Sequence, residues 1–288
     1  MFKKILIGTD LSTASDCLMR CVGEFEALGL EHVVLAHIIH VANAPGLEDR
    51  MKSEDVPEIQ RQADLLRAEG LDVTTEVHLG IPARELNMLA QQHDVDAIVI
   101  GSRGHGLWRS LLGSVSFKML QIADRPVFLA PVRVTGEGDS CQLSVYFNSF
   151  QNILVPVDFS ANCDQIIAYL EKLLEKYESS LTLLHVIDDK FVEINLSGQE
   201  AENHRKQVDN QLNELKQRLE KAGGQVETEW AEGTPWEEIV NRTRSDRFSL
   251  VVMGRHGRGF FQEALLGSVA NEVSRQTELP VLFLPLFK

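Results

Sequence analysis

"GRHGRGFFQEALLGS", residues 254–268, follows the apolar run "SLVVM" and precedes the helical run "VANEVSRQ". The stretch therefore carries the chain from a strand into a helix. Its glycines stand where positive φ or the close approach of another group to the main chain is needed. A near-copy, "GSRGHGLWRSLLGS", occupies residues 101–114 after "DAIVI" and is one residue shorter. One glycine-rich strand-to-helix turn, written twice, points to an internal duplication.

Working outward from the two copies, further landmarks recur in the same order. "KKILIGTDLS" (3–12) matches "QNILVPVDFS" (151–160), setting Asp10 over Asp158 and Ser12 over Ser160. "VVLAHII" (33–39) matches "LTLLHVI" (181–187), with His37 over His185. "LGIPARE" (79–85) matches "EGTPWEE" (232–238), and "RPVFLAPV" (125–132) matches "LPVLFLPL" (279–286). The stretch "RVTGEGDSCQLSVYFNSF" has no counterpart and is rich in Gly and Ser. The expected division is a first domain over 1–133, a linker over 134–149 and a second domain over 150–288.

Within each half, short apolar runs alternate with amphipathic stretches. Ala14, Cys17, Leu18, Cys21, Val22 and Phe25 follow helical spacing, as do Cys163, Ile166, Ile167, Leu170, Leu173 and Leu174. Long polar helices are expected near 53–69 and 199–222, strands near 72–78 and 225–231, and further helices after Pro82 and Pro235. The strands are continuously apolar, as required when helices cover both faces of a parallel sheet. The pattern predicts two tandem doubly wound, Rossmann-like α/β domains, each with a five-stranded parallel sheet. Ligands of such sheets bind beyond the carboxyl ends of the strands, where the strand order reverses.

Composition narrows the function. The chain is 44% hydrophobic and 24% charged, with a formal net charge of −14. That charge opposes wholesale binding to nucleic acid or to an anionic membrane. No apolar run reaches the ~18 residues of a membrane span, and "MFKKILIGTD" reads as a first strand rather than a signal peptide. Cys17, Cys21, Cys141 and Cys163 form no CxxC, and Cys17 with Cys21 is expected as a buried thiol pair, in keeping with the cytoplasm, with metal or redox use as the lesser alternative.

The glycine segments have the chemistry of a phosphate cradle. Ser268 stands at a helix start, where unpaired N–H groups and the helix dipole favour an anion. Asp158, at the end of the first strand of its half, is placed to accept hydrogen bonds from a ribose or a base, and the backbone near Val186 to meet an adenine edge. Taken singly, these glycines make tight turns and Ser268 caps a helix. Neither GxxxxGK[ST] nor GxGxxG after the first strand is present, so a P-loop and a dinucleotide fold are disfavoured. No catalytic constellation and no metal-ligand cluster is visible from spacing. The paired His37 and His185 read as a shared core or cleft position.

The strand-one Asp together with a G-x2-G-x9-G-[ST] pattern resembles the universal stress protein family, and the duplication resembles its tandem-domain members. The resemblance implies an adenine-nucleotide-binding-like fold, with ATP bound in some members and not in others. It also implies pairing through the last strand, between tandem halves or between chains as a homodimer. Carried onto this chain, it marks Pro156, Val157, Asp158, Val186, Gly254, His256, Gly257, Arg258, Gly267, Ser268 and Val269 as the nucleotide site of the second half. Ala270 departs from the family pattern, which often has a second hydroxyl there. The first half offers a weaker site of Asp10, Ile38, Gly101, Gly104, Gly113, Ser114 and Ser116. Its loop has only eight residues between Gly104 and Gly113, and losing one residue can move a helix start by up to ~3.5 Å.

The reading that follows is a cytoplasmic stress-response protein. It binds ATP, AMP or ADP, with magnesium as an accompanying ion, mainly in its second half, and acts as a sensor or regulator. The alternatives are a nucleotide-free interaction scaffold, or a binder of another small ligand, and behind these a slow ATP hydrolase.

Overall fold

The computed structural model describes residues 1–20, 22–40, 48–102, 112–134, 141–143, 149–189, 197–257 and 266–285. The chain divides into two compact units, Met1–Phe147 and Asn148–Lys288.

In the first unit, strands β1 (Lys4–Thr9), β2 (His32–His40), β3 (Asp72–Gly80), β4 (Ala97–Gly101) and β5 (Val127–Ala130) form a parallel sheet in the order β3-β2-β1-β4-β5. Helices α1 (Thr13–Arg20), α2 (Gly23–Glu26), α3 (Glu48–Ala68), α4 (Pro82–Gln92) and α5 (Ser114–Ile122) connect them. In the second unit, β8 (Asn152–Pro156), β9 (Ser180–Ile187), β10 (Gln225–Glu232), β11 (Leu250–Gly254) and β12 (Val281–Leu284) repeat this order as β10-β9-β8-β11-β12, again all parallel. Their helices are α6 (Ala161–Leu174), α7 (Gly198–Lys221), α8 (Pro235–Thr243) and α9 (Ser268–Gln276). The first strand of each unit thus has the second on one side and the fourth on the other. Its carboxyl end is the point where the strand order reverses, and there a crevice opens between diverging crossovers.

The expected elements and the observed ones differ at three places. The stripe from Ala14 to Phe25 is divided into α1 and the four-residue α2. Helix α3 begins at Glu48, upstream of the expected start, and runs through Pro57. Val132–Val134 (β6) and Cys141–Leu143 (β7) pair antiparallel and pack on α1, where a plain linker was expected from residue 134.

The cores form where the apolar runs predicted them. In α6, Cys163, Ile166, Ile167, Leu170, Leu173 and Leu174 are all buried, so one face of the helix is covered against the sheet. Each such Leu or Ile contributes roughly 1.5–3 kcal/mol relative to exposure. In the first unit, the Phe25 ring meets Phe2 edge-on at 5.3 Å and Phe128 at 5.1 Å between centroids, locking α2 against the sheet. Cys17 is buried but disulfide-bonded, which corrects the expected thiol pair; its proposed companion Cys21 lies outside the described residues. Cys163 is free and buried. Among the described residues no helix is long and apolar enough to cross a membrane.

Candidate functional site

Each unit has a cleft at the carboxyl ends of its strands. The residue after each strand-one acid explains how the acid is held. Leu11 (φ 60°) and Phe159 (φ 55°) both occupy the left-handed region, which costs a non-glycine residue about 1 kcal/mol or more. The bend returns the next serine to the acid. Ser160 donates to Asp158 Oδ1 from its backbone N–H at 3.0 Å and its hydroxyl at 2.7 Å. Ser12 does the same to Asp10 Oδ1, and Ser15 Oγ adds a third bond to that oxygen at 2.6 Å. These bonds orient each carboxylate at its strand end.

In the second unit the cleft measures about 420 Å³. Pro156, Val157 and Asp158 line it from the end of β8, and Val186 from β9. Gly254, His256 and Gly257 line it after β11, and Gly267, Ser268 and Val269 at the start of α9. The sequence-predicted residues therefore converge, apart from Arg258, which lies outside the described residues. Two glycines are required by geometry. A Cβ on Gly257 would stand 2.9 Å from Asp158 Oδ2, and one on Gly267 would stand 3.0 Å from the Arg255 carbonyl oxygen. The carboxylate and the turn can approach one another only because no side chain intervenes.

In the first unit Asp10, Ile38, Gly101, Gly113, Ser114 and Ser116 line a cleft of about 320 Å³. Gly104, His105 and Trp108 lie outside the described residues, as does Phe260 of the longer loop. The shorter loop does not displace the helix start. Gly113 N–H donates to Ser102 O at 2.9 Å, and Gly267 N–H donates to Arg255 O at 2.8 Å. The two caps also share one backbone conformation, Gly113 at φ −60°, ψ 145° and Gly267 at φ −61°, ψ 148°. Both helix starts therefore keep the same bond to their strand ends. Ser116 Oγ, expected as an extra phosphate ligand, donates to Gly101 O at 2.7 Å, so its proton is already engaged in the turn.

Sequence reading missed several lining residues. Cys163 occupies the position of Ser15 in the repeat and lines the second cleft. Burial, and then the negative charge of Asp158, push its thiol up to about 11, so it stays protonated and a weak hydrogen-bond partner. Asp188 also lines the second cleft, as does Arg255, whose positive charge the sequence already offered to a phosphate there. His37 and His185 both line clefts, which settles their shared position. Each turns Nδ1 to a strand-one carbonyl, His37 to Thr9 O at 3.0 Å and His185 to Val157 O at 2.7 Å. The repeated "H" near the end of each unit's second strand was a signal for this; nothing in the spacing marked Ser15 or Cys163. Among the described residues no group of three or more His, Cys, Asp or Glu is placed to hold a metal ion.

The model of the universal stress protein family matches residues 1–131 and again residues 149–285. The chain belongs to the universal stress protein family. Its tandem form has full-length counterparts: a universal stress protein of Mycolicibacterium smegmatis is 27% identical over 305 residues, covering 96% of this chain and 95% of that protein. Universal stress protein MJ0577 of Methanocaldococcus jannaschii is 29% identical over 151 residues, or 46% of this chain and 93% of its own. Among solved structures, a universal stress protein from Archaeoglobus fulgidus covers 99% of both chains with a TM-score of 0.77 at 23% identity, which shows the shared fold. This tandem universal stress protein thus carries the family's domain twice, each copy with its own cleft.

Proposed function

We propose that this universal stress protein binds an adenine nucleotide, ATP or AMP, mainly in the second unit, and acts through that occupancy as a sensor or regulator. One observation carries the reading: the held carboxylate of Asp158, the side-chain-free Gly257 against it and the Gly267–Ser268 helix start all face one cleft of about 420 Å³. A cleft of that size suits a nucleotide-sized ligand. The free N–H groups opening α9 suit its phosphates, and Asp158 suits a ribose hydroxyl. The second unit is preferred because its cleft is larger and Arg255 lines it, whereas the described lining of the first has no Arg or Lys.

Titration calorimetry on nucleotide-stripped protein tests this with ATP, ADP and AMP, in wild type, Asp158→Ala and Asp10→Ala. Saturable binding that Asp158→Ala removes and Asp10→Ala leaves is expected. Absence of binding in wild type overturns the reading in favour of a nucleotide-free scaffold, and loss in Asp10→Ala alone moves the site to the first unit. Ala270 and the engaged Ser116 hydroxyl are the features that favour the scaffold.

A further inference from the structure

His37 has two polar neighbours, one on each ring nitrogen. Its Nδ1 faces Thr9 O at 3.0 Å, and its Nε2 faces Asp55 Oδ2 on α3 at 3.3 Å. A carbonyl oxygen only accepts, so Nδ1 carries a proton. If the ring is neutral, Nε2 then presents a lone pair to a carboxylate, and the contact is repulsive. A second proton turns it into an ion pair. The side chains are 13% and 26% exposed, which shields the pair from full solvent screening.

Asp55 sits just upstream of Pro57, inside α3. Proline has no N–H to donate to the carbonyl four residues back, and its ring crowds that carbonyl, so the ladder is interrupted there. Downstream of the interruption the helix is well anchored. Ile59, Gln62, Ala63 and Leu66 are each at most 1% exposed. Gln62 accepts from Thr9 Oγ1 and donates to Asp16 Oδ1, both at 2.7 Å. Upstream, Ser53, Glu54 and Val56 are exposed, and Asp55 is half-buried and reaches His37 on β2.

We propose that the turns of α3 upstream of Pro57 are a flap hinged at that proline and latched by the His37–Asp55 pair, and that the latch closes when His37 is doubly protonated. Because His37 also lines the first cleft beside Thr9 and Asp10, the proton sets whether α3 backs that wall. The inference deepens the nucleotide reading by regulating the first cleft, and rests on that reading only for its consequence.

Other charged groups stand on the elements around the ring. Asp10, from the end of β1, has Oδ1 held by Ser12 and Ser15. On β3 the register partner of His37 is Val77, while Glu76 and His78 bond one another from the alternate face. On α3, one turn on, Arg61 is tied to Glu58 and Asp16. Pro82 and Leu86 of α4 line the cleft without charge. His40, further along β2, is exposed. Lowering the pH supplies the second proton, so the latch closes as the pH falls.

Amide hydrogen exchange on the full chain without nucleotide tests this, at pH 5.5 and 8.0 with exchange times scaled for the intrinsic pH dependence. Wild-type peptides covering residues 48–56 should exchange about fivefold faster at pH 8.0, while residues 58–68 and 198–221 hold steady. Asp55→Asn, and His37→Asn, whose amide still reaches a carbonyl, should exchange fast at both pH values. Equal protection of 48–56 at both pH values, wild-type protection in Asp55→Asn at pH 5.5, or a shift shared by all peptides overturns the latch. Nucleotide titration fails or succeeds separately: a pH-dependent flap with no nucleotide bound leaves the latch standing and removes the nucleotide reading.

Discussion

The backbone N–H of Gly113 donates to the carbonyl oxygen of Ser102 at 2.9 Å, closing the glycine turn of the first unit on the strand end it left. The same bond closes the second, from Gly267 to Arg255 at 2.8 Å, although that loop is one residue longer. What must be conserved between the copies is this junction, not the length of the loop that spans it. The consequences for each cleft follow from which side chains surround the junction.

Gly267→Ala should destabilise the second unit by about 1–3 kcal/mol, since its Cβ would meet backbone, Arg255 O at 3.0 Å, that has little room to yield. Gly257→Ala would instead meet the side-chain oxygen Asp158 Oδ2 at 2.9 Å. That carboxylate can turn away, so urea denaturation should show a smaller loss for Gly257→Ala than for Gly267→Ala. Calorimetry should show its nucleotide affinity reduced about tenfold. A larger stability loss in Gly257→Ala than in Gly267→Ala contradicts the assignment.

Ser15 and Cys163 mark a chemical difference between the clefts. Ser15→Ala removes a 2.6 Å bond to Asp10 Oδ1 and should cost about 1 kcal/mol in the first unit, measured by urea denaturation. Cys163→Ser supplies the corresponding donor to Asp158 and should be neutral or stabilising. In the native wild type, iodoacetamide followed by peptide mapping should leave Cys163 unmodified at pH 8, because the thiol is 3% exposed and its pKa is pushed up to about 11. Rapid labelling of Cys163 in the folded protein would show that the thiol is open and ionised.

Gln62, fully buried, joins β1 to α1 through Thr9 and Asp16. Gln62→Ala leaves a cavity and takes the acceptor from the Thr9 hydroxyl proton, and should lower stability by about 2–4 kcal/mol. Gln62→Glu, which retains the acceptor for Thr9 but sets a carboxylate against Asp16, should also destabilise, and less so as the pH is lowered. Thermal melts at pH 5 and pH 8 separate the two effects.

Glu229 on β10 accepts from Arg242 at 3.1 Å and Arg247 at 2.9 Å. Burial works to raise its pKa, but the hydrogen bonds from Arg247 and Arg242 together outweigh it and hold the carboxyl below the usual range. A carboxyl depressed on folding adds stability above the ordinary carboxylate range and loses it as pH falls through the depressed value. Glu229→Gln should therefore lower the melting temperature at pH 7, and the gap to wild type should narrow as the pH falls below the ordinary carboxylate range. A constant difference across that range counts against the pairing. Glu76 of β3 is depressed as well: burial opposes, and bonds from His78 and His93 prevail. One repeat thus surrounds this strand position with arginines and the other with titratable imidazoles.

Much of the architecture was legible before any contact was known. The duplicated landmarks, the continuous apolar strands and the helical stripes of α6 follow from local periodicity, which the backbone geometry of each element imposes on its own residues. The same order placed Asp158, Val186, Gly257, Gly267 and Ser268 at one sheet edge, and they line one cleft. Chain reach alone allowed a shift of the first unit's helix start by its missing residue, or compensation within the loop, and a shift would have weakened the first cleft. The shift does not occur because the Gly113–Ser102 bond holds the junction independently of the loop.

By itself, then, the sequence determined two copies of a doubly wound α/β domain and the edge at which each opens, since periodicity and order along the chain are local properties. Only the tertiary structure decided that Cys163 stands where Ser15 holds Asp10, that Gln62 links Thr9 to Asp16, and that Asp55 faces His37 across the start of α3. Those pairings join residues far apart in sequence, and packing the helices on the sheet is what brings them within hydrogen-bonding reach.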